Sequence, residues 1–113
     1  MKRGDVYDAY LDPTEGSEQA GTRPVVIVSR DVINQYSSVV VVLPLTNRAN
    51  IKRDYPSNVV IPRAEGGLSV DSVALGGQVR AISKTRLRQF RGSLTSATMR
   101  LIDRALLVTL DLL

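Results

Sequence analysis

Arg23 stands where a polar glycine loop, Gly16 to Thr22, runs into the apolar segment Val25-Val-Ile-Val28. An arginine at such a hinge, beside a loop with free backbone N–H groups, suits bidentate grip of a phosphate. The same side chain could instead pair at the surface with Glu18, and these residues alone leave both readings open. Lys52, Arg53 and Tyr55 gather in a second polar loop, Arg48 to Pro56. The tyrosine there suits stacking on a base or shielding a sheet edge. Asp8 and Asp12 share one face of a predicted strand, but no third carboxylate has a place beside them, so they read as solvated positions rather than cation ligands. The chain has no histidine and no cysteine. This removes thiolate nucleophiles, zinc fingers and histidine acid–base pairs, and no metal or cofactor is expected.

These residues need a scaffold, and the hydropathy pattern supplies one. Asp5 to Asp12 alternates as a strand, with Tyr7, Ala9 and Leu11 on one face. The loop Pro13 to Thr22 is long for a hairpin, and such excess often marks a binding loop. Arg23 to Ser29 reads as a strand buried on both faces, with Pro24 at its start where no ladder donor is needed. Asp31 to Asn34 is a helical turn capped by Asp31 or Ser29. Ser38 to Leu45 is the most apolar strand, and Thr46, the first hydroxyl after it, reads from the residues alone as an ordinary strand end. Asn58 to Ile61 is a short strand and Glu65-Gly66-Gly67 a turn. Ser72 to Ser83 is a long strand interrupted by Gly76-Gly77, which implies a bulge or a close backbone approach. Lys84 to Leu87 forms a helical turn and Phe90 to Gly92 a short extended piece.

From Thr95 to Leu112 the period becomes helical. Met99, Ile102, Leu106, Leu110 and Leu113 share one face, while Leu101, Ala105, Val108 and Leu112 form a second apolar stripe that a partner subunit would cover. The expected fold is mainly β with a C-terminal helix: a small, partly open barrel with the helix against it. At 113 residues the chain makes one domain, 1–113. It shows no membrane-spanning run and no signal-peptide pattern, so a cytoplasmic location is expected. The net charge is +4 and the pI about 9.9. Its distribution says more: between Asp71 and Asp103 no acid occurs, while Arg80, Lys84, Arg86, Arg88, Arg91 and Arg100 do. Such a one-signed stretch attracts a polyanion or an acidic protein segment.

Several blocks resemble, in order over nearly the whole chain, the MazF/PemK family of toxin endoribonucleases. They are Arg3-Gly-Asp-Val-Tyr7, Asp12-Pro-Thr-Glu-Gly-Ser-Glu-Gln-Ala-Gly-Thr-Arg-Pro24, Pro44-Leu-Thr46, Asp71-Ser-Val73 and Gln78-Val-Arg-Ala-Ile82. The Ser-Glu-Gln-Ala-Gly-Thr-Arg-Pro stretch is the specific one. The resemblance implies an SH3-like barrel, a homodimer, metal-independent cleavage of single-stranded RNA at short motifs, and inhibition by a cognate acidic antitoxin. By position it implies Arg23 and Thr46 as catalytic residues, Glu18 as the loop glutamate and candidate base, and Ser17 and Gln78 beside the RNA. Gln19, Arg80, Lys52 and Arg53 complete the expected RNA-binding set. One departure stands out: members commonly carry an acid just before that glutamine, and here the position is Gly77. Two other readings remain at this point, a non-catalytic toxin on the same barrel, like the gyrase poisons that share this fold, and an RNA-binding module without activity.

Overall fold

A computed structural model describes all 113 residues, Met1 to Leu113. Seven strands form one antiparallel sheet that stays open: β1 (Asp5–Tyr10), β2 (Thr22–Ile27), β3 (Val39–Asn47), β4 (Asn58–Ile61), β5 (Ser72–Leu75), β6 (Arg80–Ser83) and β7 (Leu87–Ser93). Their spatial order is β4-β5-β3-β2-β1-β7, with β6 on β3. A short helix α1 (Asp31–Tyr36) joins β2 to β3, and a longer one, α2 (Ser96–Thr109), ends the chain. The expected class, mainly β with a C-terminal helix in a small, partly open barrel, matches this architecture.

β3 organises the sheet because it changes partners along its length. On one edge Val42, Leu43 and Pro44 pair with Ile27, Val26 and Val25 of β2. On the other, Val39 to Val42 pair with β6, and Leu45 to Asn47 pair with β5. Between those two stretches the Gly76–Gln78 turn lifts out of the ladder. Pro44, which has no N–H to give, falls in that gap, where its missing donor leaves no broken ladder.

Strand alternation sends the side chains of β1, β2 and β3 into two cores. Val6, Val26, Leu43 and Leu45 face Ile61, Leu68, Leu94, Met99, Ile102 and Ala105, which places α2 and β4 over this side. Ala9, Leu11, Val25, Ile27, Val40, Val42 and Ile82 form the second core. β2 is therefore buried on both faces, as its uninterrupted β-branched run predicts. Each fully buried valine or isoleucine contributes about 2 kcal/mol, so the strand that carries Arg23 is firmly anchored.

Several local expectations are corrected. Pro24 is the third residue of β2, not its start; at that point β2 pairs only with Asp8 of β1, since the ladder to β3 begins at Val25. Thr46 lies inside β3, opposite Val73, and is only 4% exposed. The stretch Ser72 to Ser83 is two strands. The close-approach reading of its glycines holds for Gly76, where a Cβ would come within 2.3 Å of the Ser57 carbonyl oxygen, while a Cβ on Gly77 meets nothing within 4 Å. Phe90 to Gly92 belongs to the seven-residue edge strand β7. Neither Ser29 nor Asp31 caps α1: the cap position is Arg30, Ser29 bonds Asn34 and the Val41 N–H, and Asp31 accepts from the Arg3 N–H. The core face of α2 is Met99, Ile102 and Ala105, with Leu106 half-buried against it. The helix ends at Thr109, so Leu110 and Leu113 leave the helical spacing and are exposed.

Candidate active site at the ends of β2 and β3

The β2–β3 register places the candidate residues. Val25 pairs with Pro44, and continuing that antiparallel ladder by two residues would set Arg23 opposite Thr46. The ladder stops at Val25, short of that point, while β3 runs on paired with β5 along its other edge. The gap between the parting strands is a cavity of about 250 Å³, whose lining includes Arg23, Thr46, Asn47, Ser69, Ser72 and Arg91. Arg23 and Thr46, distant in sequence, thus share one site.

The hydrogen bonds leave both side chains free in a useful way. Arg23 donates from Nε to the Ala20 carbonyl at 3.1 Å. It makes no ion pair and its two terminal nitrogens have no protein partner. The pairing with Glu18 that the sequence left open does not form. Thr46 Oγ1 accepts from Asn50 Nδ2 at 3.1 Å, so its own proton is free to donate into the cavity. Asn50 arrives there because Asn47 caps the turn Arg48–Asn50, its side chain accepting from the Ala49 N–H. Across the cavity the Arg91 guanidinium is occupied by Asp8 at 3.2 Å and by the Gly67 carbonyl. Of the cationic groups lining the cavity, Arg23 alone is uncommitted. It offers paired donors to an anion, and Thr46 offers a third.

Glu18 lies elsewhere. With Gln19, Pro44, Gly77, Gln78, Val79 and Arg80 it lines a second, smaller cavity of about 180 Å³. Its carboxylate accepts from the Glu15 N–H at 2.6 Å, closing a turn of its own loop. Pro44 and Thr46 lie two residues apart on one face of β3, which makes the two cavities neighbours. Gln78 ties the loop down over the second: it accepts from the Gln19 N–H at 2.8 Å and donates to the Ser17 carbonyl at 3.2 Å. Ser17 is therefore joined to Gln78 through its backbone, with its side chain exposed. Arg80 donates to the Leu11 carbonyl. Lys52 and Arg53 are exposed and line neither cavity.

Among the remaining acids and bases, no group of three or more Asp or Glu side chains gathers anywhere. The Tyr7 phenol is pushed above its ordinary value by burial and by the nearby Asp5, so it stays protonated and offers no base. Sequence reasoning missed Asn50 and Asn47 and saw Arg91 only as one charge of the basic interval. Asn50 left a trace, an amide four residues after Thr46 in a segment too polar to be strand.

Comparison with known proteins gives the family and supports the fold. A profile of the PemK-like, MazF-like toxins of type II toxin–antitoxin systems matches residues 2–110. An endoribonuclease MazF of Staphylococcus saprophyticus is 42% identical over 112 residues, which cover 99% of this chain and 92% of the relative. An endoribonuclease solved in complex with its cognate antitoxin, from a mycobacterial species, superposes with a TM-score of 0.82 at 26% identity, covering 100% of this chain and 97% of that one. MazF of Deinococcus radiodurans superposes with a TM-score of 0.83 over 98% of this chain and 96% of its own; at 22% identity it speaks for the fold alone.

Proposed function

The chain belongs to the PemK-like, MazF-like toxins of type II toxin–antitoxin systems, and from that premise we propose how this endoribonuclease toxin cuts RNA. The observation that carries the reading is the shared cavity of Arg23 and Thr46, with both terminal guanidinium nitrogens and the threonine proton unspent. A scissile phosphate seated there would be held by its non-bridging oxygens. No histidine, cysteine or carboxylate cluster is at hand to supply a nucleophile. The attacking atom is then the substrate's own 2′-oxygen: it bonds to phosphorus, the bond from phosphorus to the 5′-oxygen breaks, and the products are a 2′,3′-cyclic phosphate and a 5′-hydroxyl. Arg23 stabilises the charge that grows on the phosphorane oxygens, and Thr46 holds one of them in line. The 2′-proton goes to a base and the 5′-oxygen takes one up. Glu18 lines the neighbouring cavity and is tied to the Glu15 N–H, so its part is smaller than that of Arg23.

The substrate is single-stranded RNA, messenger RNA of the cytoplasm, with Ser17, Gln19, Gln78 and Arg80 at the second cavity and Lys52 and Arg53 supplying general attraction. The acid-free interval from Ser72 to Ile102 takes an acidic segment of a cognate antitoxin in the same groove. Residues 1–113 act as one toxin domain, paired in a homodimer through α2. There Leu101 is 56% exposed beside an apolar groove of about 390 Å³ lined with Pro56, Val59, Val60 and Val108. No helix is long and apolar enough to cross a membrane. Incubating the pure protein with a long single-stranded RNA in EDTA tests the reading. Discrete cuts with cyclic phosphate ends support it, and an absolute need for Mg²⁺ or intact RNA at all times contradicts it.

A further inference from the structure

The basic interval after β5 has a use that charge counting does not reveal. Its side chains hold the long loop between β1 and β2, and they do so through the backbone. Arg86, half-buried just before β7, donates from one terminal nitrogen to two carbonyls at and just beyond the end of β1, that of Tyr10 at 3.1 Å and that of Asp12. Arg80 donates to the carbonyl between them, that of Leu11, at 3.3 Å. Neither guanidinium meets a carboxylate. Leu11, gripped in this way, gives its N–H to the Gly21 carbonyl at 2.9 Å. Gly21 adjoins Ala20, whose carbonyl is the one protein partner of the Arg23 side chain. A continuous path of hydrogen bonds and peptide units thus runs from Arg86 and Arg80, through Leu11 and Gly21, to the guanidinium in the cavity.

We propose that Arg86 is a positioning residue for RNA cleavage: with Arg80 it sets the root of the loop so that the Ala20 carbonyl aims the Arg23 guanidinium into the cavity. The inference rests on the catalytic reading of Arg23. The chemistry fits the residue type. Three successive carbonyls at a strand end present concentrated negative dipoles, and a permanently charged donor meets them without titrating. Without it, Tyr10 and Asp12 lose a charge-assisted donor and the loop root loosens. Arg23 keeps its charge but loses its fixed direction, and a misplacement on the order of 1 Å is enough to cost as much as about a hundredfold in rate.

The test uses Arg86→Met, Arg86→Lys and Arg23→Ala, alone and combined, with cleavage followed under single turnover. Arg86→Met should lower the maximal rate by between about tenfold and a hundredfold, with the RNA concentration for half-maximal rate changed less than about twofold. Arg86→Lys, whose ammonium can also donate to two carbonyls, should recover part of the loss and serves if the Met variant folds poorly. In the Arg23→Ala background the Arg86 substitutions should cost almost nothing more, since the group they aim is gone. In ¹⁵N-labelled protein the Arg23 Nε–H should exchange with solvent faster in Arg86→Met and Arg86→Lys than in the parent. An undiminished effect in the Arg23→Ala background would overturn the proposal. So would a salt slope of log affinity reduced by about 0.7, which marks a direct phosphate contact, or an unchanged exchange rate. Full activity of Arg23→Ala would instead remove the catalytic reading, and the exchange measurement would still judge the role of Arg86.

Discussion

Replacing Arg23 by alanine separates catalysis from folding, because its few contacts make the two costs very different in size. In the folded protein the side chain makes one hydrogen bond, from Nε to the Ala20 carbonyl, and no ion pair. Its loss costs at most about 1 kcal/mol of stability, a fall of about 4 °C in Tm for a domain of this size. In the transition state the same deletion removes both terminal nitrogens from the phosphorane. Loss of one comparable donor costs roughly 3–4 kcal/mol, so cleavage should slow by between about a hundredfold and a thousandfold. Arg23→Lys keeps the charge without the planar fork, and its rate should fall between parent and alanine. The assay is single-turnover cleavage of an end-labelled oligonucleotide with enzyme in excess. Affinity is measured by anisotropy on an RNA 2′-O-methylated at the scissile ribose. A rate loss below about threefold would refute the reasoning. So would a rate loss matched by an equal loss of affinity, which would make Arg23 a binding residue only.

Thr46→Val keeps the branched shape of a buried side chain and removes the hydroxyl; we expect a loss of at least about tenfold in single-turnover rate with the Tm within a few degrees, and recovery in Thr46→Ser. Gly76→Ala forces a Cβ to within 2.3 Å of the Ser57 carbonyl oxygen and should destabilise by about 1–3 kcal/mol in urea unfolding. Gly77→Ala enters open space and should stay within about 0.5 kcal/mol of the parent; equal effects of the two would contradict the packing described for that turn. Leu101→Asp places a charge on the exposed apolar groove of α2 without touching the core, and sedimentation should show the dimer giving way to monomer at micromolar concentration. A dimer unaffected by it does not use this face.

The sheet and the final helix were legible because burial follows periodicity there. Val25 to Val28 announced a strand packed on both sides, and Met99 and Ile102 announced the inner face of α2. Periodicity misled where chain direction changed: Leu110 and Leu113 kept helical spacing in the sequence but follow the end of the helix, and Ala105, read with the second stripe, lies on the core face with Met99 and Ile102. Thr46 could not be told from a strand end, since nothing local says that β3 leaves β2 there yet runs on paired with β5 along its other edge. The meeting of Arg23 with Thr46 is a consequence of the β2–β3 register and of where that ladder ends. The resemblance to a toxin family pointed to both residues, while the strand pairing supplies the reason they meet. The basic interval also serves the fold, since Arg80, Arg86, Arg88 and Arg91 all donate to backbone carbonyls. Charge runs show in a sequence, but the carbonyls that engage them do not.

The identity of the nucleophile is tested most directly by replacing a single ribose, the one 5′ of the scissile bond, with deoxyribose in an otherwise ribose oligonucleotide. If the 2′-oxygen attacks, cutting at that bond ceases in EDTA and in Mg²⁺ alike. Affinity stays within about threefold, because phosphates and bases carry most contacts. Cleavage of the deoxy-substituted bond at the rate of the unmodified RNA would show that water attacks, and would contradict the roles given to Arg23 and Thr46.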